Sequence, residues 1–197
     1  MSRFDLGNGV ADLTALLAEI DDPDLDKPTP CPRYTLRDLV AHVDMAAQAF
    51  TASARKQGGK LVEVTPDDGA PELAADWRTR LPRHLETLAD AWRVPDAWVG
   101  TTRIAGQDAP AEMVAMTIAD EIVVHSWDIA TALGRWFSAD PELLIAAKAF
   151  LSAFSTPDAP AGDDVPFGPS RPAPEDASEL EQVVALAGRD PSWQSPD

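Results

Sequence analysis

One cysteine, Cys31, is all the thiol chemistry these 197 residues contain. A lone cysteine excludes an intramolecular disulfide and any zinc site built from several thiolates. Positive charge is also scarce: 16 Lys plus Arg stand against 33 acidic side chains, a formal net charge of −17. A field of that sign repels phosphate backbones and anionic lipid surfaces, so nucleic acid is not an expected partner. No run approaches the roughly 18 apolar residues of a membrane span, and the start, Met1 to Gly9, lacks the apolar stretch of a secretory signal. A cytoplasmic protein is the expectation.

What is present is ordinary globular composition, with 45% hydrophobic and 25% charged residues. The length suits one domain with one core. Leu13, Leu16, Leu17 and Ile20 keep the spacing of one apolar helix face, giving a first helix over about Ala11–Ile20. Gly7-Asn8-Gly9 before it reads as a turn, because no strand precedes it to make a phosphate-binding loop. Pro28-Thr29-Pro30-Cys31-Pro32 cannot continue a helix and predicts an ordered loop.

Thr35 with Asp38 forms a capping pair that introduces a second helix to about Arg55. Gly58-Gly59 and Pro66 to Gly69 mark a connection. Leu73, Trp77, Leu81, Leu85, Leu88 and Trp92 then repeat at helical spacing, with Pro82 a candidate kink. Trp98–Ile104 reads as an irregular segment or small hairpin before Gly106. Pro110 and Gly134 bracket a long fourth helix over Glu112–Leu133. A fifth spans Pro141–Phe154, Pro157–Pro174 is loop, and a short helix covers about Ala177–Ala187.

The expected fold is therefore an all-α, up-down-up-down four-helix bundle with additional C-terminal helices. Residues 1–156 form the bundle with its fifth helix, and 157–197 a proline-rich loop and short helix packed on the same domain.

On the fourth helix Glu121, His125 and Asp128 fall within roughly 60° of one another. Val114 projects between them, with Ile118 and Ile129 alongside, so this polar stripe overlaps the face that should point inward. Burying unpaired ionisable groups is costly, and a metal ion is one of few partners that offsets a carboxylate and two imidazoles together. A third ligand would come from a neighbouring helix, and His42 lies at the border of the second helix's apolar stripe. On spacing alone, a surface ion pair for Glu121 and His125 and a packing role for His42 are the commoner readings, and metal binding stands beside them.

Three segments resemble one family. Pro28-Thr29-Pro30-Cys31-Pro32 leading into Thr35-Leu36-Arg37-Asp38-Leu39-Val40-Ala41-His42 resembles the opening signature of the mycothiol-dependent maleylpyruvate isomerase N-terminal family, related to the DinB-like bundles. Glu121-Ile122-Val123-Val124-His125-Ser126-Trp127-Asp128 resembles its Glu-x-x-x-His-x-Trp-Asp segment. Phe167-Gly168-Pro169 with Leu186 to Trp193 resembles the C-terminal end of one subgroup. The resemblance implies a DinB-like fold and His42, Glu121 and His125 as ligands of a divalent metal, zinc by donor type. Three protein ligands leave a fourth position open, as in catalytic sites. Asp128 is then a group orienting a ligand or bound water, or else a helix-surface partner of Arg135 or a neighbour.

The resemblance further implies a zinc-dependent protein in which mycothiol, or a related low-molecular-weight thiol, attacks a small electrophilic substrate for transfer or isomerisation. The family's isomerases resemble two-part proteins whose C-terminal domain contributes substrate contacts, whereas 42 residues follow Ser155 here. The alternative is a non-catalytic metal-binding bundle with a stress-related or partner-binding role. A third reading has no metal and a purely structural His–Glu network. Cys31 reads as a small packing residue with no base beside it, His84 as surface or packing, and Trp127 and Trp136 as core or as walls of a pocket.

Overall fold

A computed structural model describes residues 3–65, 71–155 and 169–195. The Pro66–Gly69 connection, most of the Pro157–Pro174 loop and the Phe167-Gly168 pair lie outside the described residues. Among the described residues seven α-helices form: α1 (Gly7–Ala18), α2 (Leu36–Ala54), α3 (Lys60–Glu63), α4 (Trp77–Arg93), α5 (Ala111–Ala132), α6 (Pro141–Phe154) and α7 (Glu179–Leu186). The expected helical bundle with additional C-terminal helices is the fold. Among the described residues, no helix is long and apolar enough to cross a membrane.

Four helices close a ring, with α1 against α4, α4 against α2, α2 against α5 and α5 against α1. Helices consecutive in the chain, α1 with α2 and α4 with α5, thus lie across the ring from each other, and their connections run over its ends. Leu13, Leu17, Leu39, Leu81, Leu85 and Ile118 fill the centre, each at most 2% exposed. Such apolar burial drives the assembly. α6 packs on α5, and α7 packs on α6 and α5, burying Val183 and Val184 completely.

Local chemistry sets the ends of these elements. At α2 the Asp38 amide donates to Thr35 Oγ1 at 3.3 Å, and the Thr35 amide donates to an Asp38 carboxylate oxygen at 3.0 Å, the reciprocal pairing read in the sequence. α5 stops at Gly134, whose φ of 65° closes the helix with hydrogen bonds from the amides of Gly134 and Arg135 to the carbonyls of Thr131 and Ala130. Pro82 does not interrupt α4. The ordered loop before α2 is held by the Thr29 hydroxyl, which donates to the carbonyls of Cys31 (3.0 Å) and Tyr34 (2.7 Å).

The segment before α5 is the small hairpin, β1 (Thr101–Ile104) paired antiparallel with β2 (Gln107–Pro110). Its two-residue turn, Ala105-Gly106, has φ of 49° and 71°, the mirror-type turn that matches strand twist. Side-chain bonds tie it to α2: the Thr102 hydroxyl donates to the Ser53 carbonyl at 2.5 Å, and the Ser53 hydroxyl to the Arg103 carbonyl at 2.7 Å.

The expected turn at Gly7-Asn8-Gly9 is instead the first turn of α1. The Asp5 carboxylate takes the Gly7 amide at 2.6 Å, satisfying an otherwise orphaned helix-start donor. Gly9 is required by packing, since a Cβ there would lie 2.3 Å from Leu143 Cδ1 and 3.0 Å from Ile122 Cγ2. Gly9→Ala is expected to cost a net of up to about 2 kcal/mol, overpacking of about 1–3 kcal/mol being offset by about 1 kcal/mol of helix propensity. Urea unfolding checks it: the midpoint falls while the slope is unchanged.

Candidate metal centre

α2 and α5 pack side by side, and that contact brings His42 of α2 to Glu121 and His125, four residues apart on α5. Glu121 Oε2 lies 3.1 Å from His42 Nε2 and 3.1 Å from His125 Nε2. The two imidazole rings are edge to face with centroids 5.0 Å apart. One ligand-type atom from each of the three falls within 4.8 Å of the others. His42 also packs against the ring of Tyr34, centroids 5.4 Å apart, so the proline-rich loop forms one wall beside the site.

Behind His125 stands a buried chain of charge. Asp128, with no solvent exposure, places Oδ2 3.1 Å from His125 Nδ1. The same Asp128 oxygen accepts from Arg189 Nη2 at 2.9 Å, and Oδ1 accepts from Arg189 Nε at 3.4 Å. Arg135, one candidate partner for Asp128, instead pairs with Glu19 at 2.7 Å.

The electrostatics follow from this geometry. Burial raises the Glu121 carboxyl, but hydrogen bonds and charge from His125 and then His42 overcome it and hold it well below the usual range. Burial lowers His125, yet Asp128 and Glu121 bring it up to about 10. Burial likewise raises Asp128, and the Arg189 charge with the His125 hydrogen bond reverses that direction. Asp120, next to Glu121, is pushed up to about 8, first by burial and then by the Glu121 charge. Its Oδ1 has no hydrogen-bond partner among the described residues.

Beside Glu121 and His125 lies a narrow cleft, part of it continuous with solvent. Its walls are apolar, with Leu13, Val43, Phe50, Leu85, Leu88 and Ile118 among them. Trp136 is 86% exposed and does not line that cleft, whereas Trp127 is buried. Cys31 is buried in the loop. His84 finds a partner that its own helix does not supply: Nδ1 lies 2.7 Å from Asp44 on α2, which Arg80 also contacts at 2.8 Å.

Residues 6–130 match the family described as Mycothiol maleylpyruvate isomerase N-terminal domain. The chain belongs to that family. The matched span contains His42, Glu121, His125 and Asp128 but ends well before Arg189. An uncharacterized protein of Mycobacterium tuberculosis (strain ATCC 25618 / H37Rv) is 26% identical over 176 residues, 89% of this chain and 90% of the relative. A second from the same strain is 33% identical over 150 residues, 62% of this chain and 52% of the relative. The isomerase-family fold is also seen in crystal structures of the mycothiol-dependent maleylpyruvate isomerase, at 19% identity and a TM-score of 0.57, and of a mutant of it, at 18% and 0.58. Each likeness covers 74% of this chain, which spans 65% of the length of those isomerase chains.

Arg189 and Asp120 escaped the sequence reading. No helical period links Arg189 to Asp128 across 61 residues, although a short helix ending at about Ala187 was visible. Asp120 lies on the same helix as the stripe, but its burial depends on neighbours that α5 alone does not reveal.

Proposed function

We propose that this member of the isomerase family is a metal-dependent enzyme that uses a low-molecular-weight thiol, mycothiol by family likeness, on a small electrophilic substrate. The observation that carries the reading is the convergence of two imidazole nitrogens and one carboxylate oxygen within 4.8 Å, drawn from two helices. That donor set fits zinc, and three protein ligands are the number found in catalytic rather than structural sites. The contact from Asp128 to His125 Nδ1 fits as well, because metal-binding histidines donate their second nitrogen to a carboxylate.

His42, Glu121 and His125 would hold the ion, and Asp128 would keep the His125 ring turned so that Nε2 faces the centre. When bound, the metal supplies Lewis acidity that favours the thiolate form of a thiol at neutral pH. The apolar cleft walls lower the polarity of the neighbouring space, which strengthens electrostatic interactions there. A net charge of −17 supports a small-molecule partner over a nucleic acid.

Elemental analysis of untagged protein tests the reading. Near-stoichiometric zinc, or another divalent metal, is expected in wild type and its loss in both His42→Ala and His125→Ala. Thiol consumption should then appear with electrophiles in wild type alone. Wild type that stays metal-free after reconstitution would sink the proposal and leave the three residues as a structural network.

A further inference from the structure

One side chain of the C-terminal segment beyond the matched family span, Arg189, reaches the carboxylate behind the candidate centre. α7 ends in a Schellman motif: Gly188, at φ 80°, donates its amide to the Ala185 carbonyl, and the Arg189 amide reaches the Val184 carbonyl at 2.9 Å. This closure turns the chain back on itself and directs Arg189 inward, where its side chain is 13% exposed. There the guanidinium is fixed at two places. Nε and Nη2 hold the two oxygens of Asp128, and Nη1 donates to the Ala187 carbonyl at 2.8 Å.

We propose that Arg189 is a positioning residue for the centre: by clamping Asp128 it fixes the His125 ring with Nδ1 held and Nε2 turned toward Glu121. This rests on the reading of His125 as a metal ligand. The physical argument concerns what Asp128 would do alone. A fully buried carboxylate whose only side-chain partner is an imidazole is free to rotate about its own bond, and His125 Nδ1 then loses its fixed acceptor. A planar guanidinium engaging both oxygens removes that freedom, and one ammonium could not. Outer carboxylates of this kind set ring orientation and ligand basicity at metal sites. The structure thus gives α7 a task besides covering α6: it carries the far end of the chain Arg189–Asp128–His125–Glu121.

Two readouts test the proposal on the full chain. One is zinc affinity by chelator competition; the other is the downfield imidazole Nδ1–H resonance of His125 in metal-free protein. Arg189→Met is expected to weaken zinc binding about tenfold, the lower end for loss of outer partners, and to broaden or abolish that resonance. Arg189→Lys should recover only part of both.

A double-mutant cycle with Asp128→Asn separates positioning from mere support. If Arg189 acts through Asp128, Arg189→Met adds no further loss of affinity in the Asp128→Asn background. Should Arg189→Met alone fail to fold, Asp128→Asn and Asp128→Asn/Arg189→Met are compared directly. The double variant leaves neither charge buried alone.

Losses that multiply would overturn the proposal. So would a variant that melts earlier while keeping wild-type affinity and the Nδ1–H resonance. If wild type binds no zinc, the metal reading fails by itself, and the resonance in the metal-free variants still decides whether Arg189 positions His125.

Discussion

Asp128→Ala is expected to lower folding stability by about 3–5 kcal/mol, the cost of leaving one member of a buried charge pair uncompensated. Asp128 is fully buried and Arg189 nearly so, and they meet at 2.9 Å. Removing the carboxylate therefore strands a guanidinium, which stays charged at any accessible pH. It also takes away the acceptor of His125 Nδ1. In a domain of this size each kcal/mol moves the midpoint by about 2–4 °C, so Tm should fall by roughly 6–20 °C.

Asp128→Leu/Arg189→Met is the control, because apolar replacement of both partners is often neutral or stabilising. It should recover most of the loss. A drop below about 1 kcal/mol for Asp128→Ala would mean that Arg189 turns out to water and behaves as a surface pair.

This pair also marks the limit of what could be read in the chain. Properties confined to one helix were legible. Thr35 and Asp38 cap α2, Gly134 ends α5, and Pro141 opens α6, because each acts on hydrogen bonds within a few residues of itself. The stripe of Glu121, His125 and Asp128 was legible for the same reason: helical period fixes their mutual direction, and the surrounding Val114, Ile118 and Ile129 fix which way is inward.

Whatever depended on another element was not. The start of α1 was misplaced because Gly7-Asn8-Gly9 has turn chemistry, whereas Gly9 serves close approach to Leu143 and Ile122 within the helix. α3 has four residues and no periodic signal, and it is held where Gly106 donates to the Val62 carbonyl and Arg103 pairs with Glu63. His42 lay between readings, since its angle on α2 places it at the edge of the apolar face. Only the packing of α2 on α5 brings it within 3.1 Å of Glu121.

Glu121→Gln should weaken zinc binding by more than the roughly 100-fold upper figure for outer-partner loss, since it alters a donor and not its support. The substitution keeps shape and leaves both imidazoles in place, so any change reports chemistry. A carboxylate oxygen lies 3.1 Å from each Nε2, and an ionised carboxylate is acceptor only, whereas the amide presents either a weaker neutral oxygen or an NH2 group that donates. Turning the NH2 toward a histidine would occupy the very lone pair a metal needs.

Thiol-dependent activity should disappear along with the metal, and excess zinc should restore part of it. Affinity and activity separate the outcomes. Retained affinity with lost activity would make Glu121 a proton acceptor beside a centre held by other groups. Retention of both would make it a structural link between α2 and α5 and remove the carboxylate from the ligand set. Loss of both, reversed by added zinc, is the result expected of a ligand.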